Sequence, residues 1–152
     1  MKKTIAENNP LRHSDSLVAH FKYLYRDLML ADLDKLSEIY AEDAVFVDPV
    51  HEVHGLDSLQ AYISEMCRNL TFCRFEYLDQ VISDGDAYIK WNMHFSHQKL
   101  GAKTIKVRGV SHIQFQKTIV YHEDIYDMGA MLYEHVPVIG MATSWLKRRL
   151  AV

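Results

Sequence analysis

The most informative stretch of this chain reads Tyr40-Ala-Glu-Asp-Ala-Val-Phe-Val-Asp-Pro-Val50, and Gly55 closes the loop behind it. Its pattern predicts the end of a short helix, a turn and an apolar strand over residues 44–47. Pro49 fixes its own φ and keeps Asp48 extended, so the strand must end at Asp48. The stretch therefore holds one carboxylate on rigid backbone at the end of an apolar strand.

Two interpretations of Asp48 are open. A carboxylate on rigid backbone beside an apolar wall is a usual way to position a general base for proton transfer. An Asp-Pro corner is also a common turn, in which the side chain only accepts hydrogen bonds from nearby backbone N–H groups. The motif by itself favours the turn.

Length and composition exclude several classes of protein. The 152 residues suffice for one domain whose core needs no disulfide or structural metal. Charged residues make up 24% and the net charge is −3, so the chain lacks the excess of positive charge that is typical of nucleic-acid-binding proteins. No apolar run is long enough to span a membrane.

The N-terminus and the two cysteines indicate the cellular compartment to expect. Two lysines follow Met1, but no apolar run comes behind them, which argues against a secretory signal. Cys67 and Cys73 lack the spacing of a metal site. We therefore expect a cytoplasmic protein with reduced cysteines and no cofactor.

Apolar periodicity divides the chain into a helical first half and a strand-rich second half. Ser14 or Asp15 is the expected cap of the first helix. Three helices are predicted over about residues 15–31, 33–40 and 57–70. Beyond Thr71 the period falls to two, and four strands are predicted over about residues 72–83, 89–96, 105–115 and 119–127.

This order of elements predicts an α+β domain, in which helices cover one face of a curved antiparallel sheet. A strongly twisted sheet wrapped over a long helix leaves a conical cavity between them. We expect a loose arm over residues 1–13, the domain over 14–127 and a helical extension over 128–152. Gly109, in mid-strand, suits the bend that such curvature needs.

The segment from Ala31 to Pro49, followed by Gly55, resembles the nuclear transport factor 2-like superfamily. Within it, the chain is most similar to the branch of ketosteroid isomerases and SnoaL-like polyketide cyclases. The resemblance covers about residues 15–127 and is most specific over 32–55. It implies a cone-shaped α+β barrel, commonly a homodimer, whose apolar pocket holds a small hydrophobic molecule.

The resemblance also implies site residues. In the isomerases of this group an aspartate before a proline takes a proton from carbon, and Asp48 stands at the matching place. Two further groups, a tyrosine on the first helix and an aspartic acid on the third long strand, stabilise the enolate oxygen; their positions match Leu24 and Ser111 here. One such donor typically increases the reaction rate by a factor of about 10² to 10³. Because the family's donors are missing at these positions, steroid isomerisation itself is not expected. Tyr25 and Ser111 remain as candidate donors.

The inward strand faces should line the cavity if the helices cover them; the alternative is that these side chains fill a solid core. The predicted pocket set is Phe21, His54, Trp91, Met93, Phe95, Val107, Ile113 and Tyr121. The spacing of His51 and His54 does not match a helical metal motif, so we predict no metal there. These histidines can instead gate the cavity or share a proton with Asp48.

The last strand alternates, with odd-numbered residues on one face and even-numbered residues on the other. By continuity with the family's sheet, the odd face points inward and makes Glu123 a second carboxylate opposite Asp48. Two carboxylates in one dry cavity would have different pKa values, so that one could act as an acid and the other as a base. The alternative is a rim residue paired with Arg108 or Lys106. His122, on the even face, is then expected on the outside of the sheet.

Three functions follow from this interpretation. The leading hypothesis is a small-molecule enzyme of the isomerase or cyclase type with Asp48 as general base. The second is a carrier of a lipophilic ligand on the same fold, without chemistry. The third is a dimerising interaction module. The expected partners are a small hydrophobic molecule and a second copy of the chain, with no nucleic acid and no integral membrane segment.

Overall fold

A computed structural model describes residues 10–101, 103–131 and 137–151. The helices are α1 (Pro10–Tyr25), α2 (Leu56–Cys67), α3 (Met128–Met131) and α4 (Pro137–Leu150), with short 3-10 helices at Leu33–Glu38 and Gln98–Leu100. The strands are β1 (Tyr40–Val47), β2 (Glu52–His54), β3 (Leu70–Ser83), β4 (Asp86–His97), β5 (Ile105–Phe115) and β6 (Ile119–Tyr126). Residues 1–9 of the predicted arm lie outside the described residues.

The six strands form one sheet in the order β2-β1-β6-β5-β4-β3. The α+β prediction, with a curled sheet over the N-terminal helices, is confirmed. The sheet differs from the sequence prediction in the direction of one strand pair and in its closure. The pair β1–β6 is parallel, while the other pairs are antiparallel. The strands β2 and β3 form its two edges, so the sheet of the described residues curls without closing into a barrel.

Helix α1 is displaced towards the N-terminus from the predicted range. It begins at Pro10, a residue that is well tolerated in the first turn of a helix because its missing N–H has no intrahelical partner there. The predicted cap at Ser14 or Asp15 is wrong, because both residues lie inside the helix, where Ser14 is 1% exposed. The helix ends early because the chain turns to pair with β3: the Phe75 N–H donates to the Arg26 carbonyl at 3.0 Å.

The core lies between the helices and the sheet. Its least exposed apolar side chains, all at 2% or below, include Val18, Phe21, Leu59, Ile63, Ile89, Val107, Ile113 and Ile119. Burial of one such side chain stabilises the fold by about 1.5 to 3 kcal/mol. These contacts hold α1 and α2 against the sheet and so position the residues described below.

Trp91 lies across the backbone of Gly109, its partner on the neighbouring strand. A Cβ atom added at Gly109 would stand 2.2 Å from Cη2 of the indole. Gly109 thus serves this close approach and not the bend predicted from its mid-strand position. The indole Nε1–H donates to Ser111 Oγ at 2.9 Å, which fixes the ring from its other end.

A chain of buried polar side chains joins α1 to the sheet. The hydroxyls of Tyr25 and Tyr40 are 2.9 Å apart, and the Tyr40 hydroxyl lies 2.7 Å from Nδ1 of His122. His122 is 1% exposed, so its predicted place on the outer face is wrong. The reason is the register of β6 on β5, in which His122 stands opposite the inward residue Ile113.

We predict that Gly109→Ala destabilises the fold by about 1 to 3 kcal/mol, because the added methyl group overpacks the site and displaces the indole. For a chain of this length, Tm should fall by about 2 to 4 °C per kcal/mol. The control is the same change in a Trp91→Phe background, which lacks the clashing atoms and should lose much less. Equal losses in both backgrounds would contradict the close contact.

We also predict that stability declines in alkali. Burial raises the pKa of Tyr25, Tyr40 and Tyr77 above the ordinary value of about 10. The unfolded chain therefore releases these protons at a lower pH than the folded protein. The contribution of these tyrosines to the free energy of unfolding should be fully present below about pH 10 and decrease as the pH rises further.

The measurement is Tm against pH with tyrosinate absorbance followed alongside. Tyr77→Phe is the matched variant, because the Tyr77 hydroxyl has no hydrogen-bond partner among the described residues and its removal breaks no bond. This variant should show a shallower decline. Ionisation of all the tyrosines in a protein that keeps its near-UV circular dichroism would contradict the prediction.

Candidate functional site

A cavity of about 550 Å³ lies between α2, the curled sheet and the turn after β1. This volume is within the range of small-molecule sites. The lining residues are Leu28, Phe46, Asp48, Val50, His51, Tyr62, Glu65, Met66, Asn69, Leu70, Cys73, Phe75, Trp91, Met93, Phe95, His97, Lys99, Leu100, Asp124, Tyr126 and Met131. The interior is therefore hollow at this end, and the alternative of a wholly solid core does not hold.

Asp48 lies on the wall of this cavity, with its side chain 4% exposed. Its Oδ1 accepts hydrogen bonds from the backbone N–H groups of Val50 at 2.8 Å and His51 at 2.7 Å. Its Oδ2 accepts a hydrogen bond from the Tyr62 hydroxyl. The turn predicted for the Asp-Pro corner is thus present, and the carboxylate also lines the cavity.

Tyr62 is a site residue that the sequence analysis did not single out. It lies on α2, and its ring packs on Phe46 with 5.5 Å between centroids. Burial and the hydrogen bond to Asp48 raise the pKa of Tyr62, so its hydroxyl remains a proton donor at neutral pH. The sequence could have indicated Tyr62, because helical spacing places it on the same face of α2 as Leu59 and Met66.

A second carboxylate lines the cavity, and it is Asp124. Its Oδ1 accepts from Nε2–H of His122 at 2.8 Å and from Oγ–H of Ser111 at 2.5 Å. The Asp124 side chain is 19% exposed, although it lies on the inner face of the sheet. Ser111 also accepts a hydrogen bond from Trp91, and its own hydroxyl proton is used to hold Asp124.

The predicted inward face of β6 is wrong by one residue. Glu123 lies on the opposite face, where it accepts a hydrogen bond from the Tyr121 hydroxyl at 2.9 Å. Neither residue is part of the cavity wall. The reason is again register: Ser111 stands opposite Asp124, and cross-strand partners share a face. The inward set is therefore His122, Asp124 and Tyr126.

The apolar pocket predictions divide into two groups. Trp91, Met93 and Phe95 line the cavity. Val107 and Ile113 do not, because both are 0% exposed and pack into the core under the helices. Inward alternation was predicted correctly on β4 and β5, but it cannot distinguish a cavity wall from a filled core.

Three further predictions fall outside the cavity. Phe21 and Tyr25 border a separate void of about 10 Å³ behind Trp91. The Tyr25 hydroxyl is engaged by Tyr40. His54 lies on the exposed strand β2, where its Nε2 is 2.8 Å from a carboxylate oxygen of Glu52.

Cys73 is the thiol on the cavity wall. Burial raises its pKa to about 12, so the nucleophilic thiolate is scarce at neutral pH. Across the described ranges, no group of three His, Cys, Asp or Glu side chains is arranged to hold a metal ion. None of the helices in those ranges is long and apolar enough to cross a membrane.

Comparison with solved structures identifies the fold. A Catenulispora acidiphila protein of ketosteroid isomerase-like fold, solved with trimethylamine, is 11% identical with a TM-score of 0.69, over 78% of this chain and 91% of that chain. A Jannaschia protein assigned to the SnoaL-like polyketide cyclases is 8% identical with a TM-score of 0.68, over 87% and 94%. A nuclear transport factor 2-like protein from Mesorhizobium loti is 19% identical with a TM-score of 0.64, over 79% and 95%.

At these identities the structures establish the fold alone. No curated protein matches the chain. The family model of the SnoaL-like domain matches residues 21–122, which is more than half of the chain. This protein therefore belongs to the SnoaL-like domain family, and it has the nuclear transport factor 2-like fold that the resemblance predicted.

Proposed function

We propose that this protein binds a small, largely apolar molecule in the cavity and catalyses a proton transfer on it, as isomerases and cyclases of this fold do. Asp48 is the proton acceptor. The observation that carries the proposal is the position of this carboxylate, 4% exposed and on rigid backbone, in the wall of a mostly apolar cavity of about 550 Å³.

The surroundings of Asp48 suit a general base. Phe46, Trp91 and Phe95 line the same cavity, and the Asp48 side chain is 4% exposed to solvent. A base positioned in this way typically contributes about 10² to 10⁴ in rate. Tyr62 holds Oδ2 and orients the carboxylate, and its raised pKa keeps the phenol protonated.

Asp124 takes the role that the sequence analysis gave to Glu123. Two carboxylates in one cavity can divide into an acid and a base when their environments differ. The environments do differ here: Asp48 is held by backbone N–H groups and a phenol, and Asp124 by a hydroxyl and an imidazole. In this mechanism Ser111 orients Asp124, and Tyr25 has no direct part.

One observation favours the second hypothesis, a carrier without chemistry. Both oxygens of Asp48 already accept hydrogen bonds, three in all, so accepting a proton would weaken at least one of them. A carrier needs the cavity but no free base. An interaction module needs neither, and a cavity of this size argues against that function alone.

We predict that a neutral aromatic probe such as naphthol quenches Trp91 fluorescence in a saturable manner. Trp91 lines the cavity, whereas Trp145, the other tryptophan, is 55% exposed on α4. Dissociation constants of about 1 µM to 1 mM are expected for so small a ligand. The measurement uses Trp145→Phe, with Trp91→Phe as its reciprocal control. Quenching confined to the Trp91→Phe protein would contradict a binding cavity.

We predict that Asp48→Asn abolishes proton transfer while binding and folding persist. The amide oxygen can still accept from the N–H groups of Val50 and His51, so the turn should survive. With nitrobenzisoxazole, whose ring opens when a base removes a carbon-bound proton, the rate should fall by about 10² to 10⁴. Naphthol quenching and Tm should stay close to those of the unsubstituted protein.

Asp43→Asn is the matched control, because Asp43 is exposed on β1, the strand that ends just before Asp48. It should leave the rate unchanged. Catalysis that survives Asp48→Asn would reject Asp48 as the base. Naphthol binding without any acceleration in the unsubstituted protein would favour the carrier.

A further inference from the structure

The interior of the cavity is negative. Asp48 and Asp124 both lie on its wall, and among the described lining residues the one lysine or arginine is Lys99, which is exposed to solvent. The donors to Asp48 are neutral: two backbone N–H groups and the phenol of Tyr62. Among the described lining residues, no buried lysine or arginine therefore offsets the two carboxylates.

The imidazole next to Asp124 is best satisfied in its neutral form. With the ring proton on Nε2, His122 donates to Asp124, Tyr40 donates to Nδ1, and Tyr25 donates to Tyr40. Every donor in this chain then has an acceptor. A second ring proton on Nδ1 would reverse both tyrosine bonds and leave the Tyr25 hydroxyl proton without an acceptor in the described part of the chain.

Two other histidines line the cavity. His51 has its Nδ1 3.4 Å from Oδ1 of Asp48, and its side chain is 53% exposed to solvent. His97 accepts a hydrogen bond from the Lys99 N–H through its own Nδ1. The His51 ring is thus largely in solvent, and Nδ1 of His97 serves as an acceptor for its own loop.

The walls between the two carboxylates are aromatic. Phe75, Trp91 and Tyr126 form a continuous row, with ring centroids 5.1 Å and 6.3 Å apart, and Phe46 with Tyr62 forms a second pair. Ring faces attract cations, most strongly where water is excluded. Burial first, and then the charges of Asp48 and Asp124, raise the pKa of Tyr126, so both carboxylates act on the space beside this ring.

The same arrangement disfavours an anion. The positions that would hold an enolate oxygen by resemblance are Leu24, which is apolar, and Ser111, whose hydroxyl donates to Asp124. An anionic ligand would meet two carboxylates and, on the part of the wall that the structure describes, no buried lysine or arginine. A positively charged ligand would meet two counter-charges and an aromatic surface.

We infer that the ligand of this cavity is a small, mainly apolar organic cation, either a protonated amine or a quaternary ammonium compound, held between Asp48 and Asp124 against the aromatic rings. The inference rests on the proposed function, in that it names the class of molecule that the cavity takes. The carboxylates supply the charge recognition, and the apolar remainder of the wall supplies shape and burial.

The experiment compares two probes of one shape, trimethylphenylammonium and its neutral isostere tert-butylbenzene. Quenching of Trp91 is measured in the Trp145→Phe protein at about pH 8. The cation should bind at least about tenfold more tightly than the isostere, although it is the better hydrated of the two.

Asp124→Asn and Asp48→Asn should each reduce the affinity for the cation by about tenfold and change that for tert-butylbenzene by about twofold or less. Glu123→Gln is the matched control, because it removes a carboxylate one residue away on the outer face of the same strand. It should leave both affinities unchanged. If Asp124→Asn fails to fold, Asp48→Asn, whose turn is retained, carries the comparison.

The outcomes separate this inference from the proposed function. If tert-butylbenzene binds as tightly as the cation or more tightly, the inference is overturned and the binding cavity stands. If the aspartate variants weaken both probes equally, the carboxylates are structural and the inference is again overturned. If neither probe nor naphthol binds, the proposed function fails with it.

Discussion

The pairing of β5 with β6 sets which side chains meet inside the curled sheet, and through them it sets the site. Ser111 stands opposite Asp124, and Gly109 opposite Tyr126. Side chains alternate with a period of two, so a slip of one residue would exchange every inward group for an outward one. Such a slip would bury Glu123 and expose His122. Burial of an unpaired carboxylate is costly, which opposes the alternative register.

The hydrogen bonds made by the inward groups extend this constraint across the domain. Trp91 donates to Ser111, and Ser111 and His122 both donate to Asp124. Tyr40 and Tyr25 continue the chain to α1. Buried hydrogen bonds are strong in a low dielectric, but only when every member is satisfied. The position of Asp124 therefore depends on five elements of the fold, β6 included, whereas Asp48 depends mainly on its own turn and on Tyr62.

The two carboxylates differ accordingly in how far they could be predicted. Asp48 precedes a proline, and local backbone restriction fixes its conformation whatever lies beyond it. Nothing in the local sequence predicts that Asp124 faces the cavity, because the alternation along β6 is compatible with either face. The apolar residue Ile125 even favours the wrong face, since it is exposed in the structure. The cross-strand partner of Ser111 was the missing information. Tyr62 was accessible from helical spacing, but only its contact with Asp48 makes it a site residue.

Helix α1 shows the same limit at the level of secondary structure. Its apolar stripe continues to Leu28, which predicts a longer helix, yet the backbone leaves the helix after Tyr25 to pair with β3. Long-range hydrogen bonds to a strand replace the local ones. Gly109 is a comparable case, because its mid-strand position indicated an irregularity but could not reveal the indole of Trp91 lying over it.

Local chemistry was thus enough for the α+β class, for the strand alternation of β4 and β5 and for the turn at Asp48. These depend on periodicity and backbone restriction, which act over a few residues. The SnoaL-like family was predicted from the resemblance of the segment around Asp48. The hollow interior, its second acid and the polar chain from Tyr25 to Asp124 came from the three-dimensional arrangement. They depend on which strand faces which, and on whether packed side chains fill the space between helices and sheet, and neither is a property of any short segment.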